Sequence, residues 1–564
     1  MRQDLTGGKS SKRHLKSLFI APLALAAAST AAFAAGGPTS DQLLKSATDS
    51  SNWILPAGSY SGNRQVDENQ ISPQNVDQMK VAWTFKIPDQ APVEASPIVW
   101  DGTIYVTSSH DDVYAVDAKT GDLKWQYNPH PTQLAGFPRN RGVAVLDGMV
   151  FVAMINGHLA ALDAKTGKEI WNKQTVENPE NSFYSMQPVP YKGKLLLGVS
   201  NGDWGGIGNI SAFDPMTGKR LWKWEAVPGP GEPGHESWSG DSWKRGGGAI
   251  WSGVAIDPAT DTLYVDTGNP QPDFLGAVRK GDNLYTDSMV ALNISGSTPK
   301  MKWYHQFIPH DTHDWDPAMP PVLFTGQLDG KDTKLVAAGD KAGNFWILDA
   351  TTGKLVSHTP VSYQMNQGTE PPQQGVNYAC PNTNGGIEYN GGAYDPSTNT
   401  FFVPSSNQCG KWSAHNEAQY IAGQFYLGGA FPSLEGPNSG WFSAVDVNSG
   451  LFKWREHLNL PSNGGALVMN YDTGGKPMAD ETMVFTGMLD GHLNAYSAAS
   501  GKLLWQHDTG ASIIAPPSTF TMNGDRYVVV ASGEPGFLKV PELPEKNRPA
   551  VLTAFVSSPK QSQM

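Results

Sequence analysis

Apolar and polar residues follow one another along this chain in short runs, and one such pattern occurs seven times. Each copy has an apolar pair, a polar residue (Asp, Asn or Ser), a Thr-Gly or Ser-Gly pair and, in most copies, a Trp. This order is typical of a β-strand, a tight turn and a second strand. The clearest copies are Ala115–Trp125, Ala161–Trp171 and Ala212–Trp222, and weaker ones are Ala291–Trp303, Ile347–Ser357, Ala444–Trp454 and Ala495–Trp505.

Further strand signals lie between these copies. They are β-branched or aromatic runs interrupted by Asp-Gly or Asn-Gly, which is the usual signal of a β-hairpin. A unit of about four strands cannot bury its own apolar face, so the copies must stack on one another. We therefore predict an all-β protein, an eight-bladed β-propeller with four-stranded blades. The additional runs include Ser96–Ser108, Gly142–Met154, Met483–Tyr496 and Gly524–Gly533.

The spacing of the copies predicts where the propeller is interrupted. Counted from one polar residue to the next, the steps are 46, 51, 79, 56, 97 and 51 residues. We predict that the step of 79, from Asp214 to Asn293, contains an insertion. We predict that the step of 97, from Asp349 to Asp446, spans two blades, one with a degenerate turn. Insertions in propellers are loops where binding residues collect, so both long steps are candidates for the functional site.

Charge and the N-terminal segment narrow the class of protein. The formal net charge is -12 and the basic residues are scattered, so the electrostatic requirement for nucleic-acid binding is missing. Residues 1–34 combine a basic stretch, a short apolar run (Leu18–Ala32) and the sequence Ala-Phe-Ala, the layout of a cleaved export signal. We predict a signal peptide at 1–34, a propeller domain at 35–564 without a later membrane span, and a periplasmic location.

Two cysteines, Cys380 and Cys409, lie in the predicted exported part. In an oxidising compartment an even pair favours a disulfide, although two buried reduced thiols are the alternative. The chain has no Cys-x-x-Cys-His run that could bind a haem covalently. Any electron acceptor must therefore be a separate molecule.

Several polar motifs lie outside the repeated pattern, and their order along the chain resembles one family. The motifs are VEASPIV (Glu94), NRGVAV (Arg141), SMQP (Ser185), GVSNGD (Ser200 and Asp203), GGGAIWSG (Trp251), TGNPQP (Asn269), PHDTHDWDP (Asp314 and Asp316) and AGDKAGNFW (Lys341). The chain resembles the PQQ-dependent quinoprotein alcohol dehydrogenases, which include methanol, ethanol and glucose dehydrogenases. The resemblance extends over nearly all of the predicted mature chain.

This resemblance implies a function. It implies that PQQ and Ca²⁺ or a lanthanide ion are the cofactors. A small-molecule alcohol would be oxidised, and an external acceptor such as a c-type cytochrome would receive the electrons. It leaves the substrate open among primary alcohols, aromatic alcohols, polyols and sugars. The oligomeric state is also open, with a homodimer as one option.

The same resemblance assigns roles to the residues of the motifs. The implied cofactor-binding residues are Glu94, Arg141, Ser185, Ser200, Trp251, Lys341 and Glu388, with Trp251 stacked on the quinone. Glu388 and its neighbour Tyr389 stand where the family often has Asn or Asp followed by Trp, so this contact is altered. The implied metal ligands are Asp203, Asn269, Asp314 and Asp316, and Asp314 is also the implied catalytic base. Cys380 and Cys409 fit the structural disulfide of the family.

The ligand set leaves the identity of the metal open. All four side chains offer oxygen, which suits a hard cation and argues against zinc despite the nearby His310 and His313. Asp203 replaces a longer Glu of the family. An Asp at the position of Asp316 is characteristic of lanthanide-using members, but glucose-type members that use divalent cations also have it.

Two departures from the family concern the substrate side. Alcohol-oxidising members carry two adjacent cysteines where this chain has Ala135 and Gly136. Glucose-type members, like this chain, lack these cysteines. Asn463 replaces a Trp over the cavity, which predicts a remodelled and more polar pocket.

The alternative to an enzyme is a non-catalytic periplasmic propeller that acts as a scaffold or binding module. That alternative does not account for the ordered set of site motifs.

Overall fold

The computed structural model describes residues 36–89, 91–131, 137–368, 376–472, 479–538, 540–543 and 549–557. The predicted signal peptide and the pair Ala135 and Gly136 lie outside these ranges. Within them, a short helix α1 (Ser40–Leu44) precedes the strands, and the remaining helical segments are single turns. No helix in this part of the chain is both long and apolar enough to span a membrane.

Four consecutive sheets make up the first half of the fold. Two strands precede them, β1 (Gln65–Glu68) and β2 (Lys80–Lys86), and both join sheets formed later in the chain. Sheet I contains β3 (Ile98–Trp100), β4 (Thr103–Thr107), β5 (Val113–Asp117) and β6 (Leu123–Tyr127); sheet II contains β7 (Ala144–Leu146), β8 (Met149–Ala153), β9 (His158–Asp163) and β10 (Glu169–Gln174); sheet III contains β11 (Val189–Tyr191), β12 (Lys194–Gly198), β13 (Asn209–Phe213) and β14 (Arg220–Glu225); sheet IV contains β15 (Val254–Asp257), β16 (Thr262–Thr267), β17 (Ser288–Asn293) and β18 (Lys300–Gln306).

Four further sheets and one small sheet make up the second half. Sheet V contains β19 (Val322–Leu328), β20 (Lys331–Gly339), β21 (Asn344–Asp349) and β22 (Leu355–Pro360); the small sheet contains β23 (Asn377–Ala379), β26 (Cys409–Ala414) and β27 (Gly429–Glu435); sheet VI contains β24 (Ala393–Asp395), β25 (Thr400–Ser406), β28 (Gly440–Asp446) and β29 (Phe452–Leu458); sheet VII contains β1 with β30 (Gly464–Tyr471), β31 (Thr482–Gly487), β32 (His492–Ser497) and β33 (Leu503–Asp508); sheet VIII contains β2 with β34 (Ser518–Met522), β35 (Asp525–Ser532) and β36 (Val551–Val556).

Apolar clusters join these sheets face to face in a closed cycle. Shared clusters connect sheet I to II, II to III and IV, and IV through V and VI to VII. A further cluster joins sheets VII and VIII to sheet I. The cycle is also closed by hydrogen bonds, because β2 near the start of the chain pairs with β36 near its end, with Thr84 opposite Thr553. The predicted all-β propeller of four-stranded sheets is confirmed.

The repeated pattern forms the last two strands of a sheet and contacts the next sheet through its Trp. Trp125 Nε1 donates a hydrogen bond to the carbonyl oxygen of Ala164 at 2.9 Å. Its ring packs on Gly167, which has φ +69°, and a Cβ atom there would lie only 2.4 Å from the indole. The same N–H to carbonyl bond links Trp83 to Ala118, Trp171 to Pro215, Trp303 to Ala350 and Trp454 to Ala498.

The two long steps have different structures from one another. The step of 79 residues contains β14 of sheet III and the first three strands of sheet IV, joined by the long loops 226–253 and 268–287, so the predicted insertion is confirmed. The prediction that the step of 97 residues spans two blades is wrong, because it contains sheet VI and the small sheet inserted into it. The sheet without a copy of the pattern is sheet VIII, where β2 pairs with β36. Cys380 and Cys409 form the predicted disulfide, which lies at the small sheet.

Candidate active site

Loops at one edge of the sheets carry all the predicted site residues. In an antiparallel sheet the start of the first strand and the end of the second lie at the same edge. Loops that lead into a first strand carry Glu94, Arg141, Ser185, Trp251, Asp314 with Asp316, and Glu388, and loops that follow a second strand carry Ser200 with Asp203, Asn269, and Lys341. All eleven of these residues line one cavity.

One side of the cavity is a chain of ion pairs and hydroxyl groups. The buried Glu94 carboxylate binds Arg139 Nε at 2.7 Å and Arg141 Nη2 at 2.9 Å. Arg141 Nη1 donates to Ser185 Oγ at 2.7 Å, and Ser185 Oγ lies 2.7 Å from Ser200 Oγ. This edge therefore presents guanidinium and hydroxyl donors that suit carboxylate and carbonyl oxygens of a ligand. Arg139 was not predicted, since its role depends on Glu94, which is far away in the sequence.

Two aromatic side chains lie beside this polar edge. The Arg141 guanidinium carbon is 4.9 Å from the Trp251 ring centre and 4.2 Å from that of Tyr389. The glycine run before Trp251 allows the backbone to approach its neighbours closely, because a Cβ atom on Gly247 (φ +81°) would lie 2.5 Å from the Asn269 carbonyl oxygen. Trp251 is thus presented to the cavity as a flat surface on which a planar ligand could stack.

The opposite side of the cavity is a group of carboxylates around one ammonium group. Lys341 Nζ lies 2.8 Å from Asp314 Oδ1 and 2.6 Å from Asp316 Oδ1. Ligand atoms of Asp203, Asp273 and Asp314 all lie within 4.8 Å of one another. Asp273 is the member that sequence reasoning missed. It follows the TGNPQP motif directly, and only its position in the fold indicates a role.

Burial and mutual repulsion shift the ionisation of these groups. Burial raises the pKa of Asp203 to about 6, with Lys341 opposing the shift and Asp316 adding to it. Burial also raises the pKa values of Asp273 and Asp314. Burial alone would lower the pKa of Lys341, but the carboxylates of Asp314 and Asp316 raise it overall. A cation that binds among these carboxylates reduces the repulsion between them.

A tight turn holds Asp314 in place. Asp311 accepts hydrogen bonds from the backbone N–H groups of His313 at 2.9 Å and Trp315 at 2.7 Å. Asp314 itself has φ +59°, a left-handed conformation that Asp adopts more readily than most other non-glycine residues.

The neighbouring histidines take no part in the carboxylate group. His313 stacks on Trp315 with ring centres 4.1 Å apart, and burial lowers its pKa to about 3. The His310 ring bonds to the carbonyl oxygen of Gly281. Among the described residues, the one set with metal-ligand spacing contains three Asp and no His. The donor chemistry is therefore that of a hard cation.

The residues present fit both PQQ and a hard cation. In the described part of the chain, the buried Asn269 Nδ2 has no hydrogen-bond partner, and no N–H or hydroxyl group donates to the buried carboxylate oxygens of Asp273. Buried polar atoms are normally satisfied, so these point to a bound group. The flat surface of Trp251 suits a tricyclic ring, and the donors of Arg141, Ser185 and Lys341 suit its carboxylates and oxygens.

Aromatic residues from distant parts of the chain line the outer part of the cavity. They are Phe137, Phe183, Trp204, Phe431 and Phe537, and the last two are about two-fifths exposed. Trp204 also stacks on Phe425 at 4.3 Å, and Phe137 meets Phe537 edge-on at 4.8 Å. The predicted polar remodelling through Asn463 is not found, because Asn463 is buried and does not belong to the cavity lining.

Comparisons with known proteins identify the family. Residues 53–364 and 359–528 match the family model of the PQQ glucose/ethanol/alcohol dehydrogenase β-propeller domain. The chain is 31% identical to quinoprotein alcohol dehydrogenase PedH of Pseudomonas putida, covering 92% of both chains. It is 32% identical to the quinohemoprotein alcohol dehydrogenase of Comamonas testosteroni, covering 95% of this chain and 82% of that one.

A solved structure agrees with this assignment. The europium-containing methanol dehydrogenase superposes with a TM-score of 0.81 at 28% identity, over 91% of this chain and 100% of that one. The chain therefore belongs to the PQQ-dependent alcohol dehydrogenase family, and the prediction of an oxidoreductase rather than a scaffold is confirmed.

Proposed function

We propose that this protein is a periplasmic, PQQ- and metal-dependent dehydrogenase. It oxidises an alcohol to a carbonyl compound and passes the electrons to an external acceptor, for which a c-type cytochrome is our candidate. The observation that carries the proposal is the single cavity in which Arg141, Trp251, Lys341 and the carboxylates of Asp203 and Asp314 meet. The export signal predicted at residues 1–34 supports the location.

The residues of the cavity divide into two binding sets. Glu94, Arg141, Ser185, Ser200, Trp251, Lys341 and Glu388 would hold PQQ, and Asp203, Asn269, Asp314 and Asp316 would hold Ca²⁺ or a lanthanide ion. When bound, PQQ supplies a two-electron acceptor and the metal ion supplies a Lewis acid. The protein contributes the orientation of both groups.

Asp314 is the proposed general base for the alcohol hydroxyl group. Its carboxylate lies 2.8 Å from the Lys341 ammonium group, which stabilises the ionised form that can accept a proton. The turn organised by Asp311 directs this carboxylate into the cavity. As the hydroxyl proton passes to Asp314, the carbon–oxygen double bond forms and the carbon–hydrogen bond breaks. The hydrogen would leave with both electrons of that bond, as a hydride, and PQQ would be its acceptor when bound.

The aromatic lining favours alcohols with an apolar or aromatic carbon skeleton over polyols and sugars. Phe137, Phe183 and Trp204 offer ring faces and edges to a substrate in the outer cavity. A polyol placed there would lose hydration of its further hydroxyl groups without gaining hydrogen bonds, which costs about 1–3 kcal/mol for each group. An aryl group would instead replace water at these surfaces.

The test is turnover of the purified protein with PQQ and either Ca²⁺ or La³⁺. We expect dye reduction with benzyl alcohol and 1-hexanol, much lower rates with glycerol and glucose, and reduction of an added c-type cytochrome. Asp314→Asn should lower turnover at least about 100-fold while PQQ stays bound, because a positioned base contributes that much. The exposed Asp282→Asn is the matched control.

Three results would contradict the proposal. Turnover of Asp314→Asn at the wild-type rate would remove Asp314 from the reaction. A preference for glucose would overturn the substrate class. No PQQ binding with either metal would overturn the function as a whole.

A further inference from the structure

Asp273 lies at the carboxylate group without a role in the site predicted from the sequence. Its side chain is 1% exposed, and no N–H or hydroxyl group of the described residues donates to its carboxylate oxygens, whose close polar neighbour is the Asp203 carboxyl group. A ligand atom of Asp273 lies within 4.8 Å of ligand atoms of both Asp203 and Asp314. An ionised carboxylate in this position is costly unless a cation or a donor meets it.

The backbone on both sides of this carboxylate is held firmly. Arg279 Nη2 donates to the carbonyl oxygen of Asp273 at 2.9 Å. The next residue, Phe274, donates its N–H to the carbonyl oxygen of Leu427 at 2.8 Å. Because these bonds fix the main chain, the Asp273 side chain is presented to Asp203 and Asp314 in advance of any ligand.

A second side chain at the same place also lacks a partner. Asn269 is 2% exposed, and its Nδ2 has no hydrogen-bond partner within the described ranges. Its Oδ1 lies 3.5 Å from the position that a Cβ atom on Gly202 would occupy, directly beside Asp203. The amide oxygen of Asn269, beside the carboxylates of Asp203 and Asp273, is a further oxygen donor of the kind that a hard cation takes.

The charges of the group set the kind of cation. The carboxylates of Asp203, Asp273, Asp314 and Asp316 lie near the ammonium group of Lys341, and the opposite charges of Arg279 and Asp311 beside Asp273 offset one another. When all four are ionised, a trivalent ion neutralises the excess negative charge and a divalent ion does not.

We propose that Asp273 is an additional ligand of the metal ion, and that it makes this site prefer a trivalent lanthanide to Ca²⁺. The inference deepens the proposed function, on which it rests for the presence of a metal ion. It requires neither PQQ nor turnover. Its test can therefore fail while alcohol oxidation stands, and can succeed without any activity.

The test is Tb³⁺ binding to full-length protein freed of metal and PQQ, followed by Tb³⁺ luminescence excited through nearby Trp residues. Competition with Ca²⁺ on the same samples gives the preference between the two ions. We expect Asp273→Asn to lower Tb³⁺ affinity by about 100-fold and Ca²⁺ affinity by only about tenfold, since ligand charge tunes affinity. Asp273→Glu, which keeps the charge, should retain the preference for Tb³⁺. Asp282→Asn should match wild type.

Each outcome decides one part of the proposal. Unchanged affinities in Asp273→Asn, together with a loss in Asp203→Asn, would show that Asp273 is not a ligand. An equal loss for both ions, or a wild-type protein that prefers Ca²⁺ to Tb³⁺, would overturn the proposed preference. Should Asp273→Asn fail to fold by circular dichroism, the wild-type competition and Asp273→Glu still decide that preference. No Tb³⁺ binding to wild type would overturn the metal site itself.

Discussion

The indole Nε1 of Trp251 donates a hydrogen bond to Oδ2 of Asp316 at 2.7 Å. The other oxygen of the same carboxylate lies 2.6 Å from Lys341 Nζ. The proposed stacking surface for PQQ and the proposed metal side of the cavity are therefore joined through one carboxylate. A change at Trp251 should consequently affect two binding events, and the two can be measured separately.

Trp251→Phe keeps an aromatic ring and removes the N–H donor, whereas Trp251→Ala removes both. We expect Trp251→Phe to hold PQQ within about tenfold of wild type but to lower Tb³⁺ affinity about tenfold, because Asp316 loses the bond that orients it. Trp251→Ala should weaken PQQ binding by about 100-fold through lost stacking and burial. Fluorescence titrations of each ligand measure these effects, with Trp243→Phe, outside the cavity, as the control. Equal PQQ affinity in all three variants would rule out stacking on Trp251.

The strand and turn pattern was predictable from the sequence because it is local. Each copy places its apolar pair, polar residue and glycine within one hairpin, and the sheets form where these copies lie. Sheet VIII was not predictable in this way, since β2 and β36 come from opposite ends of the described chain and neither carries the repeated pattern. The small sheet containing β23 was missed for a related reason, because its strands are separated by other strands in the sequence.

The site residues also differ in whether they could be predicted from the sequence. The eleven residues predicted through the family resemblance line one cavity, because each lies in a loop at a fixed place relative to a strand. The family resemblance assigns no role to Arg139, to Asp273 or to the aromatic residues of the outer cavity. Arg139 forms an ion pair with Glu94, and Asp273 lies beside Asp203 and Asp314. Phe537 packs against Phe137. Contacts between residues so far apart become visible only when the sheets have been assembled.

The contact between the indole of one repeat and the glycine of the next can be tested by adding one methyl group. Gly167→Ala places a Cβ atom against Trp125, whereas Gly193→Ala adds one at a similar φ (+72° against +69°) with nothing within 4 Å. The left-handed conformation alone should cost about 1–2 kcal/mol in free energy of unfolding in both variants. Overpacking should cost Gly167→Ala a further 1–3 kcal/mol or so. Urea unfolding measures both, and equal losses would show that the contact contributes nothing.

The disulfide should stabilise the fold around the small sheet. Cys380 and Cys409 are 29 residues apart, and closing a loop of that length is worth about 3–4 kcal/mol through the entropy of the unfolded chain. The double variant Cys380→Ser, Cys409→Ser should lose about that much free energy of unfolding. Treatment of wild type with a thiol reductant should produce the same loss and should leave the variant unaffected. A variant as stable as oxidised wild type would contradict this account.

Glu388 should make the stability of the metal-free, PQQ-free protein depend on pH. Burial raises its pKa to about 7, with Lys341 opposing the shift and Asp316 adding to it, from an ordinary value of 4.5. The folded protein therefore binds this proton more tightly than the unfolded chain. The resulting stabilisation is fully present below pH 4.5 and is lost as the pH rises through 7. Glu388→Gln does not titrate, so the variant should gain about 1–3 kcal/mol relative to wild type between pH 5 and pH 8.

Urea unfolding gives the free energy of unfolding of both proteins at these two pH values. The difference between variant and wild type at pH 5 is then compared with the difference at pH 8. Other buried carboxyl groups titrate in the same range, among them Asp111 and Asp340, whose pKa values burial raises to about 7. They are present in both proteins, so the comparison cancels their contributions and leaves that of Glu388. A gap between variant and wild type that stays constant from pH 5 to pH 8 would mean that Glu388 ionises at an ordinary pKa in the folded protein. In that case the charges of Lys341 and Arg141 outweigh the cost of its burial.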